Sequence, residues 1–202
     1  MEFHMAKKKV QDIIKFSGDA GKLESTFRFS ETLKDMKESV ADHSWRLTLM
    51  TFLISEELDM NLDVGKALKL ALVHDLAEAF TGEIDAWKII TGKVSKKSKF
   101  VKEKKAMDKM TKGLQFGNQV KSLWQEYEDQ NSKEAKLVRG LDKIEAFLSI
   151  YEAGHQNYKK KVFHSNYADE AVNNFPQLKP LLSDVKEMLK KEMKKGKIKW
   201  VE

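Results

Sequence analysis

Leu70-Ala71-Leu72-Val73-His74-Asp75-Leu76-Ala77-Glu78, followed by Thr81-Gly82-Glu83-Ile84-Asp85, is the stretch around which the chain is organised. An apolar run carries a helix straight into an adjacent His and Asp. On a continuous helix Glu78 lies four residues after His74 and three after Asp75, so all three share one flank. Burying an imidazole and two carboxylates is costly unless something compensates, and a divalent cation would do so. The competing reading is a helix end whose His and acids reach solvent. Further ligands elsewhere in the chain decide between the two.

Moving upstream, Asp63 can cap a helix from Val64 to about Ala79. Ser39-Val40-Ala41-Asp42 has capping-box spacing and opens a helix that runs to about Leu58. His43, Leu47, Met50, Ile54 and Leu58 form one stripe on it. Trp45, Leu49, Phe52 and Leu53 widen that stripe, which predicts a central, largely enclosed helix. His43 lies on the stripe in the first turn, as a hydrogen-bonded core histidine or as a ligand.

Downstream, Ser132 starts a second central helix, to about Ala153, with Leu137, Leu141, Ile144, Leu148 and Tyr151 as its stripe. Asp142 interrupts it where an unpaired carboxylate would be costly, so it needs either a lysine partner or a metal. Glu83 and Asp85 fall at the start of a short helix, where acids suit the macrodipole. Arg28 sits between Phe27 and Phe29, either as a held side chain or as an ordinary surface arginine.

The remaining segments read as packing and surface. Val10, Ile13 and Ile14 share a face of a first helix, Val10 to Phe16. Nine lysines between Lys93 and Lys112 predict an exposed helix over the core, mostly a solvated face, though one able to attract phosphates. Val120, Leu123, Trp124 and Tyr127 mark a short amphipathic helix. Gly154 to Asn166 reads as a loop carrying His155 and His164. A terminal helix, Leu178 to Lys194, turns Val185, Met188, Leu189 and Met193 inward and runs into a frayed tail. Met1 to Met5 resembles an expression-vector scar, leaving 6–202 as a single domain.

Composition agrees with a compact helical protein. The 202 residues are 41% hydrophobic and 34% charged, with two prolines and ten glycines. Zero cysteines exclude disulfides, zinc fingers and a thiol nucleophile. No apolar stretch reaches membrane-spanning length and no secretory signal precedes the domain, so the expectation is a cytoplasmic protein with no membrane partner. Thirty-seven basic against 31 acidic residues give a net charge of +6 and a pI near 9.2. The surplus favours anionic partners, but the acids are interspersed and aromatic interleaving is missing, so nucleic acid is not expected.

Taken together, His43, His74, Asp75 and Asp142 have metal-ligand chemistry: two imidazoles and two carboxylates suit Mn, Fe, Co, Ni or Zn. Set within Glu38-Ser39-Val40-Ala41-Asp42-His43-Ser44, His74-Asp75-Leu76-Ala77-Glu78, Thr81-Gly82-Glu83-Ile84 and Leu141-Asp142-Lys143, they resemble the signature of the HD-domain metal-dependent phosphohydrolases. The flanking residues are similar to the branch that contains the 5'-deoxynucleotidases, over roughly Lys22 to Tyr151.

That resemblance implies an all-α, single-domain HD-type helical bundle, often dimeric, with one divalent metal at its centre. It implies release of phosphate from nucleoside 5'-monophosphates. His43, His74, Asp75 and Asp142 would hold the ion, and Glu78 would position or deprotonate the attacking water. Arg28 would grip phosphate. Two departures bear on the sugar. The branch commonly has Gly-Asp where this chain has Gly82-Glu83, and a tryptophan where it has Phe29. With no histidine between His74 and His155, one metal is implied rather than two, and His155 and His164 are structural or exposed. The alternatives are an HD phosphohydrolase acting on a nucleotide diester or alarmone, and a non-catalytic metal- or nucleotide-binding regulatory module.

Overall fold

Capping side chains start several of the helices where the sequence places them. Ser39 accepts from Asp42 N while the Asp42 carboxylate accepts from Ser39 N, closing the capping box. Asp63 accepts from Lys66 N, and Ser132 from Ala135 N. Each such cap is worth about 1 kcal/mol. The computed structural model describes residues 2–35, 38–58 and 61–202, with side chains from residue 7 onward. The expected scar at 1–5 lies outside the residues whose side chains are described.

In chain order, α1 (Glu2–Ala20) runs into a 3-10 turn at Gly21–Ser25, and an extended loop leads to α2 (Val40–Glu57). Then come α3 (Val64–Val73), α4 (Glu78–Thr81), α5 (Ala86–Ile90), α6 (Lys96–Thr111), α7 (Gly117–Asp129) and α8 (Lys133–Ala153). A short strand β1 (Val162–His164) precedes α9 (Asp169–Asn173) and α10 (Lys179–Lys195), and β2 (Lys199–Val201) pairs parallel to β1. The all-α expectation holds apart from this strand pair.

Helix α8 is the spine, packed against α2, α3, α9 and α10. Its Leu137, Leu141 and Ile144 are completely buried, each contributing about 1.5–3 kcal/mol of hydrophobic stabilisation. Gly140 lets Leu178 approach α8 closely: a Cβ there would stand 2.6 Å from Leu178 Cδ1. A second, smaller core joins Leu23, Val40, Val73, Leu76, Met107, Met110 and Trp124. The α3–α4 junction lies where the two cores meet.

Four expectations are corrected. The helix expected from Val64 to Ala79 stops at Val73 and resumes at Glu78. Between them Leu76 N bonds Val73 O and Glu78 N bonds Asp75 O, a 3-10 pattern that tightens the turn at the His-Asp pair. Trp45, Leu49, Phe52 and Leu53 are not enclosed: they are 68%, 41%, 45% and 49% exposed and form an apolar face opposite the buried stripe of α2. Met188 of α10, expected to face inward, is more than a third exposed. The tail expected to fray forms β2, with Trp200 stacked on Phe163 at 5.1 Å. Helix α6 is mostly solvated and lies over the core as expected, with Glu103, Ala106, Met107 and Met110 buried on its inner face.

Candidate metal and phosphate site

The first turn of α2 turns His43 inward, and the end of α3 delivers His74 opposite it. Both rings are buried, with their Nε2 atoms 3.2 Å apart. The far side of each ring decides its proton. His74 Nδ1 lies 2.8 Å from Ala71 O, and a carbonyl can only accept, so Nδ1 carries the hydrogen. His43 Nδ1 lies 2.5 Å from Glu145 Oε2, and the same reasoning applies. Both Nε2 lone pairs therefore face a common point in the neutral tautomers.

Two carboxylates close on that point. Asp75 Oδ2 is 2.9 Å from His74 Nε2 and 3.8 Å from His43 Nε2. Asp142 Oδ1 is 3.4 Å from His43 Nε2. Its other oxygen, Oδ2, accepts from Tyr127 Oη and Lys143 Nζ, each at 2.9 Å. The lysine partner expected for Asp142 is thus present on Oδ2, and Oδ1 is left facing the two histidines. Donor atoms of His43, His74 and Asp142 all lie within 4.8 Å of one another.

The acids and bases here shift one another's proton affinity. Burial and Arg28 work against a charged His43, yet Glu145 and Asp142 raise its pKa to about 9. Burial also opposes charge on Asp75 and Asp142, but His74 beside Asp75, and Lys143 and His43 beside Asp142, hold both below the usual carboxylate range. Two imidazole nitrogens each about 2.1 Å from one ion would stand about 3–3.5 Å apart, which matches the observed pair. The residues present fit a single divalent ion.

Glu78, the first residue of α4, is 2% exposed. Its Oε1 accepts from Lys99 Nζ at 2.9 Å, while Oε2 has no partner among the described residues. Burial and the neighbouring Asp75 push its pKa well above the ordinary value. Glu83 shows the same pattern: Oε2 is buried and unpartnered, and burial raises its pKa to about 7. Asp85 is different. Its carboxylate accepts from Glu31 N, Thr32 N, Thr32 Oγ1 and Trp87 N. It caps α5, as its position suggested, and also ties the loop after Phe29 to that helix.

Arg28 is buried rather than on the surface. Nη1 donates to Glu38 Oε2 at 2.7 Å and to Glu145 Oε2 at 3.0 Å. The guanidinium lies over the Phe29 ring at 4.6 Å. Phe29 has φ +60°, a left-handed conformation that a bulky residue rarely adopts. Phe27, the other flanking aromatic, is exposed.

Two contributors escaped sequence reading. Glu145 is completely buried, and besides His43 and Arg28 it accepts from Arg46 Nε at 2.8 Å and Ser149 Oγ at 3.1 Å. Its signal was the one Asp142 carried, an acid inside an apolar stretch (Ile144-Glu145-Ala146-Phe147), one helical turn further on. Lys99 had no distinguishing signal among its lysine neighbours. His155, by contrast, bonds Glu192 at 2.7 Å, the structural role expected of it.

Residues 20–179 match the family described as HD domain. The chain is 36% identical to the 5'-deoxynucleotidase HDDC2 of Danio rerio, over 71% of this chain and 70% of that protein. It is 33% identical to the Dictyostelium discoideum protein of the same name, over 70% and 77%. A predicted metal-dependent phosphohydrolase from Magnetospirillum magnetotacticum has a similar fold (TM-score 0.75, 22% identity, 95% of this chain and 98% of that one).

Proposed function

This chain belongs to the HD-domain family and is a metal-dependent phosphohydrolase, and from that premise we propose that it releases phosphate from nucleoside 5'-monophosphates. The observation that carries the proposal is the pairing of two environments. His43, His74 and Asp142 bring their donor atoms together, Asp75 Oδ2 lies 2.9 Å from His74 Nε2, and Glu78, a near neighbour of Asp75, offers one unpartnered carboxylate oxygen. In this reading those four residues hold one divalent ion of the Mn, Fe, Co, Ni or Zn type. When bound, such an ion lowers the pKa of water and draws charge from a phosphate oxygen.

The chain's own groups do the rest. Glu78 Oε2 orients the attacking water and accepts its proton, a role suited to a carboxylate whose proton affinity is raised by burial and by Asp75. Arg28, held by Glu38 and Glu145, presents a fixed guanidinium to the phosphate. Glu83 Oε2 receives a sugar hydroxyl, and Phe29 forms the wall against which the ribose edge rests. The unpartnered oxygen of Glu78 also favours catalysis over a purely regulatory binding module, which has no need of a buried water-activating acid.

The exposed apolar face of Trp45, Leu49, Phe52 and Leu53, with Leu72 of α3 also 60% exposed, supports a homodimer. No helix among the described residues is long and apolar enough to cross a membrane, and the cysteine-free composition suits the cytoplasm.

The test is phosphate release from a panel of deoxy- and ribonucleoside 5'-monophosphates by protein stripped of metal and then given Mn, Co, Zn or Mg. Metal-dependent release is expected. Folded protein that binds a metal and releases nothing from any of them would remove the 5'-monophosphate reading and turn attention to diesters and alarmones.

A further inference from the structure

Helix α6 carries most of the lysines between Lys93 and Lys112, yet Lys99 turns inward. Its Nζ donates to Glu78 Oε1 at 2.9 Å and lies 3.2 Å from Glu103 Oε1. Glu103 is one helical turn further along α6 and is itself buried. The three groups form a line, Glu103–Lys99–Glu78, leading from the second core into the site.

The backbone at Glu78 gives the side chain little help. Helix α4 is four residues long and is preceded by 3-10 turns, so it supplies no long, regular frame. Helix α6 has 16 residues and is fixed by Met107 and Met110 in the core. We propose that Lys99, backed by Glu103, is a positioning residue that holds Glu78 by Oε1 and so leaves Oε2 as the oxygen that meets the reacting water. Glu103 keeps the ammonium from swinging outward, since a free lysine otherwise samples many rotamers in water. The inference rests on the proposed role of Glu78 and deepens it.

A displacement of a catalytic group by about 1 Å can cost about 100-fold in rate. The expected signature is therefore in turnover and not in binding. Lys99→Met should lower kcat by about 10- to 100-fold, with KM within about twofold and metal content unchanged. Lys99→Arg, which keeps a donor over the carboxylate, should recover most of the loss. Glu103→Gln should lower kcat by a smaller factor, about threefold, by loosening the lysine.

Steady-state kinetics, metal content and melting temperature are measured on all three with a nucleoside 5'-monophosphate, alongside Glu78→Gln. Unchanged kcat in folded Lys99→Met overturns the inference. So does a rise in KM at constant kcat, which would make Lys99 a phosphate ligand instead, and so does an arginine variant no better than methionine. If Lys99→Met does not fold, Glu103→Gln decides, and wild-type kcat there overturns it. Turnover retained in Glu78→Gln removes the role of Glu78 itself. Turnover lost there, with Lys99→Met at wild-type kcat, removes only the inference about Lys99.

Discussion

Glu145→Gln is the change that probes most directly how the site is held together. The wild-type carboxylate only accepts. Oε2 takes His43 Nδ1 at 2.5 Å and Arg28 Nη1 at 3.0 Å, and Oε1 takes Arg46 Nε at 2.8 Å with Ser149 at 3.1 Å. Glutamine has one accepting oxygen and one donating NH2. Whichever way the amide turns, its NH2 faces an imidazole N–H or a guanidinium, so one side loses its acceptor. If the amide keeps Arg46, His43 loses the group that fixes its tautomer and aims Nε2. A hydrogen bond to a charged group is worth about 1.5–3 kcal/mol, and orienting partners of ligating histidines typically contribute 10- to 100-fold in metal affinity. The two routes agree on a loss of about 10- to 100-fold. Global stability falls too, but by no more than about 3 kcal/mol, because Arg28 and Arg46 both retain Glu38. The assay is competition for Co or Zn against a chromophoric chelator, on protein first shown to be folded by its melting curve. Wild-type affinity in folded Glu145→Gln would refute the assignment of His43 Nε2 as a ligand aimed by this carboxylate.

Metal uptake is expected to depend on pH. The His43 pKa of about 9 means that a proton occupies Nε2 at neutral pH and must leave, so affinity should rise about tenfold per pH unit up to pH 9. Titration calorimetry in buffers of different ionisation enthalpy should register the released proton. Glu83 gives a stability signature. Its pKa is raised from 4.5 to about 7 on folding, so between those values the folded state keeps a proton that the unfolded state has lost. Stability therefore falls as pH rises from 4.5 to 7, by up to about 3 kcal/mol. Glu83→Gln should flatten that slope in urea melts taken at pH 4.5, 5.5 and 7, and an unaltered slope would place its cause elsewhere. Phe29→Trp enlarges the wall proposed to meet the ribose edge and should raise the deoxy-to-ribo ratio of kcat/KM several-fold. A ratio that does not move would separate Phe29 from sugar recognition.

Much of the site was legible because each proposed ligand violates a local pattern. His43 sits on an apolar stripe, Asp142 interrupts another, and His74-Asp75 ends a third. Such residues are conspicuous in a linear text, since periodicity alone predicts something apolar there. What was not legible depends on partners distant in sequence. Lys99 is one lysine among many until α6 lies across Glu78, 21 residues away. Glu145 becomes a junction only when α2 and the Arg28 loop arrive from more than 100 residues upstream. The break between α3 and α4 was hidden because helix and 3-10 turn share one apolar spacing over so few residues. The outward face of α2 misled for a related reason: apolarity around a helix says that it is to be covered, without saying by which chain.

Helix α2 thus presents two different faces on opposite sides. His43 points from one side toward the proposed metal site, and Trp45, Leu49, Phe52 and Leu53 lie bare on the other. Anything that docks on the bare side touches the rigid body that carries a ligand. If docking favours one setting of that helix, thermodynamic reciprocity requires the metal to favour docking by the same factor. In a homodimer the two equilibria would then be read through each other. Dilution would loosen the ion, and chelation would part the subunits, with no residue shared between the two surfaces.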